Sequence, residues 1–422
     1  MRILIFSTTT GYQLRSFGEA AERLGIELAF ATDRCKGLDD PWRDRAVPVR
    51  FHDEEASVRA IVAAASSRPV DGVLAVGDRP VRLAALAADA LALDGNPPDA
   101  AAASANKRTT RERFAAAGLP VPWFVDLPAG GDITTLDRMS YPAVVKPLGL
   151  SGSRGVIRAN TRIELDAAIA RVRALLARKD VRALRSGLDD SLLVEGYIDG
   201  AEFAIEGVLT AGRLQAFAIF EKPDPLSGPF FEETIYVTPP SIPPAVQSAI
   251  IEQVQRATRA IGLSHGPVHA ECRVASDGIY LLEVAARPIG GLCSRVLRFT
   301  HPGGGDLASL EEVLLRHATG EDVTAYTREP RGAAVMMIPI PKRGILRKVE
   351  GVDQAQAVPG IEDVRITAKP DQLLEPLPEA GSYLGFIFAR ARQAADAAAA
   401  LRAAHAALRF TVDAPIPVRA VS

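Results

Sequence analysis

The stretch that decides the fold reads His269-Ala270-Glu271-Cys272-Arg273-Val274-Ala275-Ser276-Asp277-Gly278-Ile279-Tyr280-Leu281-Leu282-Glu283-Val284-Ala285-Ala286-Arg287. Its apolar runs, broken at Ala275-Ser276-Asp277, predict two antiparallel strands over 266–274 and 278–284. Alternate residues of a strand share a face, so His269 and Glu271 point one way, as do Glu283, Ala285 and Arg287. Pairing the strands brings two carboxylates together. Clustered carboxylates repel unless a cation lies between them. Magnesium takes a few carboxylate oxygens together with substrate phosphates. The competing reading is a solvated strand face with scattered charge, which Leu281, Leu282 and the small residues beside both glutamates oppose. Arg287 leads into Pro288-Ile289-Gly290-Gly291. A guanidinium beside a glycine loop suits bidentate capture of a carboxylate or phosphate.

Upstream, the apolar strand Ala143-Val144-Val145 delivers Lys146 to Pro147-Leu148-Gly149-Leu150-Ser151-Gly152-Ser153-Arg154-Gly155. Such loops wrap phosphates with backbone N–H groups, and the hydroxyls and Arg154 add donors. The spacing is not that of a P-loop. A plain flexible turn is the bland alternative. Next comes Leu193-Val194-Glu195-Gly196-Tyr197-Ile198-Asp199-Gly200-Ala201-Glu202, a strand entering a hinge whose backbone suits a flat heterocycle, with Glu202 placed for ribose hydroxyls. Lys107 opens a helix after Asn106, and Phe230-Phe231-Glu232-Glu233-Thr234 joins two aromatics to two acids. Alone, the hinge segment and Lys107 read as surface, and the segment from Phe230 to Thr234 reads equally well as surface strand or substrate contact. Cys272 faces away from Glu271 and reads as a buried apolar cysteine. His265 and His269 lack metal-site spacing, and His269 borders the substrate instead.

The chain has 422 residues, 24% charged, with a net charge of −2. That length holds two to four domains. The balance opposes bulk binding to nucleic acid or an anionic membrane. No apolar run approaches the ~20 residues of a membrane span. Met1-Arg2-Ile3-Leu4-Ile5-Phe6 reads as a first strand and not as a signal peptide. Three scattered cysteines, Cys35, Cys272 and Cys293, fit a reducing cytoplasm. Strand–helix alternation over the first part predicts a parallel sheet with helices on both faces. Its rim loops, 8–11 and Gly77-Asp78, would sit at the ligand edge, but no GxGxxG is present. A linker follows at Gly95-Asn96-Pro97-Pro98, then a helix over 106–117. Leu14, Phe17, Ala21 and Leu24 recur at helical spacing, with Gly25 where that helix would stop, and helices are also predicted over 245–261, stopped by Gly262, and over 393–408.

The ordered set of Lys107, Lys146 with its glycine loop, Glu195-Gly196-Tyr197-Ile198 with Glu202, Glu271, and Glu283-x-x-x-Arg287 resembles the ATP-grasp superfamily. Within it, Gly228-Pro229-Phe230-Phe231-Glu232-Glu233 and the Glu283–Arg287 segment resemble the carboxylate–amine ligases, above all the bacterial L-amino-acid (dipeptide) ligases. The resemblance implies an α/β ATP-grasp fold. A Rossmann-like N-terminal domain spans 1–98. The ATP-grasp domain spans 99–325 as two α+β subdomains, with a lid at about 140–198. A small C-terminal α+β domain spans 326–422. It implies that Lys107 and Lys146 hold ATP phosphates and that Ser151, Gly152, Ser153 and Gly155 close over them. Glu195, Tyr197 and Ile198 would border adenine, and Glu202 the ribose. Glu271 and Glu283 would carry Mg2+, with Mn2+ as a substitute. Arg287 and Lys146 would serve catalysis, and Glu233, His269, Arg287, Gly290 and Gly291 the substrates. Many relatives have Asn where this chain has Ala285, which bears on the number of ions.

The implied reaction activates a carboxylate as an acyl phosphate and joins it to an amine, both substrates being amino acids. The implied enzyme is cytoplasmic and is compatible with a homodimer. Three alternatives stay open: a biotin-carboxylase-type or glycinamide-ribonucleotide-synthetase-type ligase, a non-catalytic ATP-binding module, and a dinucleotide-dependent oxidoreductase.

Overall fold

The computed structural model describes residues 1–8, 13–33, 46–128 and 130–414. Residues 9–11 of the first rim loop and Cys35 lie outside the described residues. The first sheet comprises β1 (Arg2–Ser7), β2 (Glu27–Thr32), β3 (Ala46–Pro48) and β4 (Gly72–Val76), parallel throughout, in the order β3-β2-β1-β4. Parallel neighbours need crossovers, and helices Leu14–Leu24 and Glu54–Ser67 supply two of them. The first helix stops where predicted, at Gly25 with φ 64°, and the Ile26 N–H closes onto the Ala21 carbonyl at 2.9 Å. The expected open linker is partly helical instead. Pro98–Ser104 forms a short helix, with proline in the first turn, where its missing N–H is harmless.

A second, antiparallel sheet has the order β5-β8-β6-β7, built from β5 (Phe124–Pro128), β6 (Ala143–Pro147), β7 (Ile157–Ala159) and β8 (Ser191–Gly196). Helix Arg162–Leu176 covers it through Leu165, Ile169 and Val172, which pack with Leu192 and Val194. β5 escaped the sequence reading because its burial is intermediate along most of its length.

The largest sheet has eight strands. Five are β9 (Ala201–Thr210), β10 (Arg213–Lys222), β11 (Ile235–Thr238), β12 (Gly266–Ala275) and β13 (Gly278–Ala285), in the order β13-β12-β9-β10-β11. Strands Gly332–Ile338, Gly385–Ala391 and Ile361–Ile366 continue it beyond β11. Residue 326 is therefore a boundary in sequence and not a break in the sheet. Phe203, Ile205, Val268, Ala270, Cys272, Leu281 and Val284 pack in one core with Ile250, Val254, Ala257 and Ile261 of helix Pro244–Ile261. Alternation then turns Glu202, Glu206, His269 and Glu271 to the opposite face.

The N-terminal sheet is seated tightly on this body. A Cβ on Gly72 would lie 1.9 Å from the Ala318 carbonyl oxygen, at the end of helix Leu310–Ala318. Gly72→Ala is therefore expected to destabilise by ~1–3 kcal/mol. The check is a lower urea midpoint with an unchanged m value.

Candidate functional site

The strand register builds the site. Glu271 on β12 lies directly opposite Glu283 on β13, and His269 opposite Ala285. On the other side of β12, Glu206 of β9 faces His269 and Glu202 faces Arg273. Glu202 in turn faces Lys222, the last residue of β10. A grid of charge thus spans four strands on one face of the sheet.

Lys222 organises one half of this grid. Its buried ammonium donates to Glu202 at 2.7 Å, Glu233 at 2.6 Å and Glu271 at 2.9 Å, and the Tyr236 hydroxyl donates to Glu271 at 3.1 Å. Burial disfavours the charge on Glu271, but Lys222 and His269 more than offset it and hold the carboxylate well below its usual range. Glu233 is less well compensated. Burial, with Glu271 and Glu202 close by, pushes it up to about 7 despite Lys222. His269 Nδ1 lies 2.5 Å from Glu206, and its Nε2 lies 3.4 Å from Glu271. Burial opposes protonation of His269, but Glu206 overcomes this and moves it up to about 9.

Arg287 organises the other half. It forms a fork on Asp78, with Nε to Oδ1 at 2.7 Å and Nη2 to Oδ2 at 3.2 Å, and reaches Glu283 at 3.5 Å. Asp78 stands at the carboxyl end of β4, the rim that the sequence reading picked out. Asp78, Lys107, Thr110, Ser151 and Glu283 line a cavity of about 20 Å³, room for about one water molecule. The loop over 149–155 closes it. Lys107 Nζ donates to the Leu150 carbonyl at 2.6 Å. The Gly155 N–H donates to Pro378 O at 2.9 Å and Arg154 Nε to Glu379 O at 2.8 Å. Arg171 adds a fork on the Glu379 carboxylate, at 2.6 and 2.9 Å. Gly155 adopts φ 76°, and a Cβ there would press on Leu175 and Pro147 at 3.0 Å. A cavity of about 20 Å³ does not hold a triphosphate.

Several expected contacts are already engaged within the chain. Glu195 was expected to border adenine through its backbone, but it pairs with Phe124 and Val144 inside the second sheet. Its buried carboxylate binds Lys146 at 2.5 Å and Arg111 at 2.8 Å. Lys146 thus meets a carboxylate here where a phosphate was expected. Burial, with Arg111 and Lys107 nearby, lowers its pKa despite Glu195. Both Glu202 oxygens are engaged, by Lys222 and by Arg273 Nε at 2.8 Å, so a ribose hydroxyl would share an oxygen with one of them. The Ile198 carbonyl accepts from Arg273 at 2.7 Å. The Tyr197 ring lies under the guanidinium groups of Arg158 and Arg273, at 4.1 and 5.0 Å. Ser153 and Gly152 adopt left-handed φ in the closed loop, at 55° and 64°. Glu271 and Glu283 face each other, yet Glu271 joins Lys222 while Glu283 turns to Arg287. Gly290 and Gly291 lie in a loop held by two contacts on Ile289. Gln13 Nε2 donates to its carbonyl at 2.8 Å, and its N–H donates to Glu206 at 3.1 Å.

The sequence reading missed Lys222, Arg111, Arg273 and Glu206. Two acids two strand positions either side of Ala204, in a run otherwise apolar, were a usable signal. The two free cysteines at 272 and 293 are buried, which pushes both thiols well above their usual range. Neither has the character of a nucleophile.

Glu283 lines the cavity together with Lys107 and Ser151, and Glu271 stands opposite Glu283 on β12. Residues 18–95 match the ATP-grasp N-terminal domain, residues 139–296 an ATP-grasp domain, and residues 336–413 the L-amino acid ligase C-terminal domain 2. The chain thus carries ATP-grasp domains. It is similar to an L-amino acid ligase from Bacillus licheniformis, with TM-score 0.81 and 28% identity over 98% of both chains. The uncharacterized protein y4rH of Sinorhizobium fredii is 28% identical over 310 residues, covering 72% of this chain and 61% of that one. Alanine–anticapsin ligase of Bacillus subtilis is 26% identical over 261 residues, covering 57% of this chain and 53% of that one. The chain thus spans less than two thirds of either curated relative. Among the described residues, no helix is long and apolar enough to cross a membrane.

Two predictions follow from the buried charges. Glu195 is brought down to about 2, because Arg111 and Lys146 outweigh the burial that opposes its charge. A depressed carboxylate stabilises above its unfolded pKa, and that contribution is lost as pH falls through the folded value. Glu195→Gln should therefore cost ~3 kcal/mol at pH 7. In urea titrations the gap to the parent should close between the unfolded value of about 4.3 and pH 2. Lys222→Met leaves three carboxylates without their ammonium and should cost ~3–5 kcal/mol at neutral pH. The unpaired acids would then hold folded pKa values above their unfolded ones. The loss in urea midpoint should accordingly shrink as the pH is lowered and they take up protons.

Proposed function

We propose that this protein is an ATP-dependent carboxylate–amine ligase that joins two amino acids through an acyl phosphate. The observation that carries the reading is Glu271 opposite Glu283, with Arg287 reaching Glu283, which lines the cavity together with Lys107 and Ser151. Likeness to an L-amino acid ligase over 98% of the chain supports the same chemistry.

A carboxylate does not condense with an amine unaided, because its oxygen is a poor leaving group. In the proposed reaction, a carboxylate oxygen attacks the γ-phosphorus of ATP and the bond to the bridging oxygen breaks, releasing ADP. The amine nitrogen then attacks the acyl carbon, inorganic phosphate departs, and the nitrogen gives up a proton. Phosphoryl transfer asks mainly for positioning and charge neutralisation. Lys107 and Lys146 would face the phosphates once the loop over 149–155 has lifted and resettled. Glu271 and Glu283 would hold the metal, which supplies charge neutralisation at the transferred phosphoryl group when bound. Arg287, now forked on Asp78, would orient the substrate carboxylate. His269, Glu233, Gly290 and Gly291 would border the substrates, with Glu195, Tyr197, Ile198 and Glu202 around the nucleoside. Closure of the loop would keep water from the acyl phosphate.

The test is an ADP-release screen over amino-acid pairs, with mass detection of the product. A dipeptide formed with matching ADP is the expected result. Glu271→Ala and Glu283→Ala should each lower that rate by ~100-fold or more. Unchanged turnover in both variants would refute the assignment, and bicarbonate-dependent ADP release would redirect it to a carboxylase-type reaction.

A further inference from the structure

We propose that Glu206 is a positioning residue that holds the metal-side carboxylate and the substrate loop in one register. It is 1% exposed, on β9, and both its oxygens are used. One accepts from His269 Nδ1 at 2.5 Å, and the other from the Ile289 N–H at 3.1 Å. The far nitrogen of His269 lies 3.4 Å from Glu271. A single carboxylate therefore fixes the ring that faces Glu271 and the backbone of the loop carrying Gly290 and Gly291.

The alignment follows from the strands. Glu206 faces His269 across the β9–β12 pair, and His269 and Glu271 lie on the same face of β12 two residues apart. Gln13 holds the carbonyl of the same Ile289 from the N-terminal domain at 2.8 Å. The loop is thus clamped on both sides of one peptide. A carboxylate in this place can take two donors at once. A primary amide of the same shape can accept from Ile289 but presents its NH2 to the imidazole. Glu206→Gln accordingly leaves Nδ1 no acceptor for its proton, so that the amide can at most donate to a neutral ring, and it spares the loop contact.

The catalytic consequence rests on the ligase reading, whereas the positioning itself does not. The first measurement is proton NMR of the full chain. The parent protein is expected to show one strongly deshielded ring proton, absent in Glu206→Gln and in His269→Asn. The second is steady-state turnover with the pair found by the ADP screen. Glu206→Gln should lose ~10–100-fold in kcat, with the affinity for a non-hydrolysable ATP analogue unchanged. The double variant should be no worse than His269→Asn alone, because the glutamate acts through the ring. Thermal melts establish that each variant folds. If Glu206→Gln does not fold, His269→Asn carries the test and should show the same loss. Three results overturn the proposal: no deshielded proton in the parent, parental kcat in Glu206→Gln, or losses that multiply in the double variant. If no pair elicits ADP, the ligase reading falls and the deshielded proton decides the positioning alone.

Discussion

Four segments converge on one ammonium group. Lys222 ends β10, Glu202 begins β9, Glu271 lies in β12, and Glu233 comes from the loop that precedes β11. One buried and two half-buried carboxylates within 4.8 Å of one another would drive the strands apart without a cation among them. A buried ammonium carries its own desolvation cost, so neither side is stable without the other. This mutual need fixes where Glu271 stands. From Glu271 the constraint passes to His269 and Glu206 on one side and, across the β12–β13 register, to Glu283 and Arg287 on the other.

The second constraint is distance in sequence. Arg287 is held by Asp78, 209 residues away. The closed loop over 149–155 is held by residues 378 and 379 of the C-terminal region. The site is therefore not the property of a central domain alone. Its arginine is oriented by the N-terminal sheet, and the loop that closes the cavity is fastened by the C-terminal part.

Much of this was legible in the sequence because it rests on local rules. Alternation on β12 and β13 placed Glu271, Glu283 and Arg287 on one face, and the register confirmed the opposition of the two glutamates. Gly25 and Gly262 stopped their helices with positive φ, as their positions predicted. What stayed hidden depends on non-local packing. Lys222 reads as a surface lysine at the end of a strand until three other segments surround it. Arg111 reads as one more arginine in Lys107–Ala116, yet it is 2% exposed and neutralises Glu195. The contacts of Glu195 and Ile198 with strand neighbours and Arg273 are non-local in the same way.

The place of β11 in the large sheet has a consequence for how the chain is made. β11 lies between β10 and strand Gly332–Ile338, so its outer edge stays unpaired until that strand has been synthesised. Strand Gly385–Ala391 must then arrive to cover the edge of Gly332–Ile338. At ordinary elongation rates of about 5–20 residues per second, roughly 10–30 s separate β11 from that last arrival. Throughout that interval the nascent chain presents a bare strand edge of the kind that invites pairing with another molecule. The loop bearing Glu233 enters β11 directly, so the ammonium cage matures only after the ribosome has delivered strand Gly385–Ala391. The cage is encoded upstream of the strands that complete its sheet.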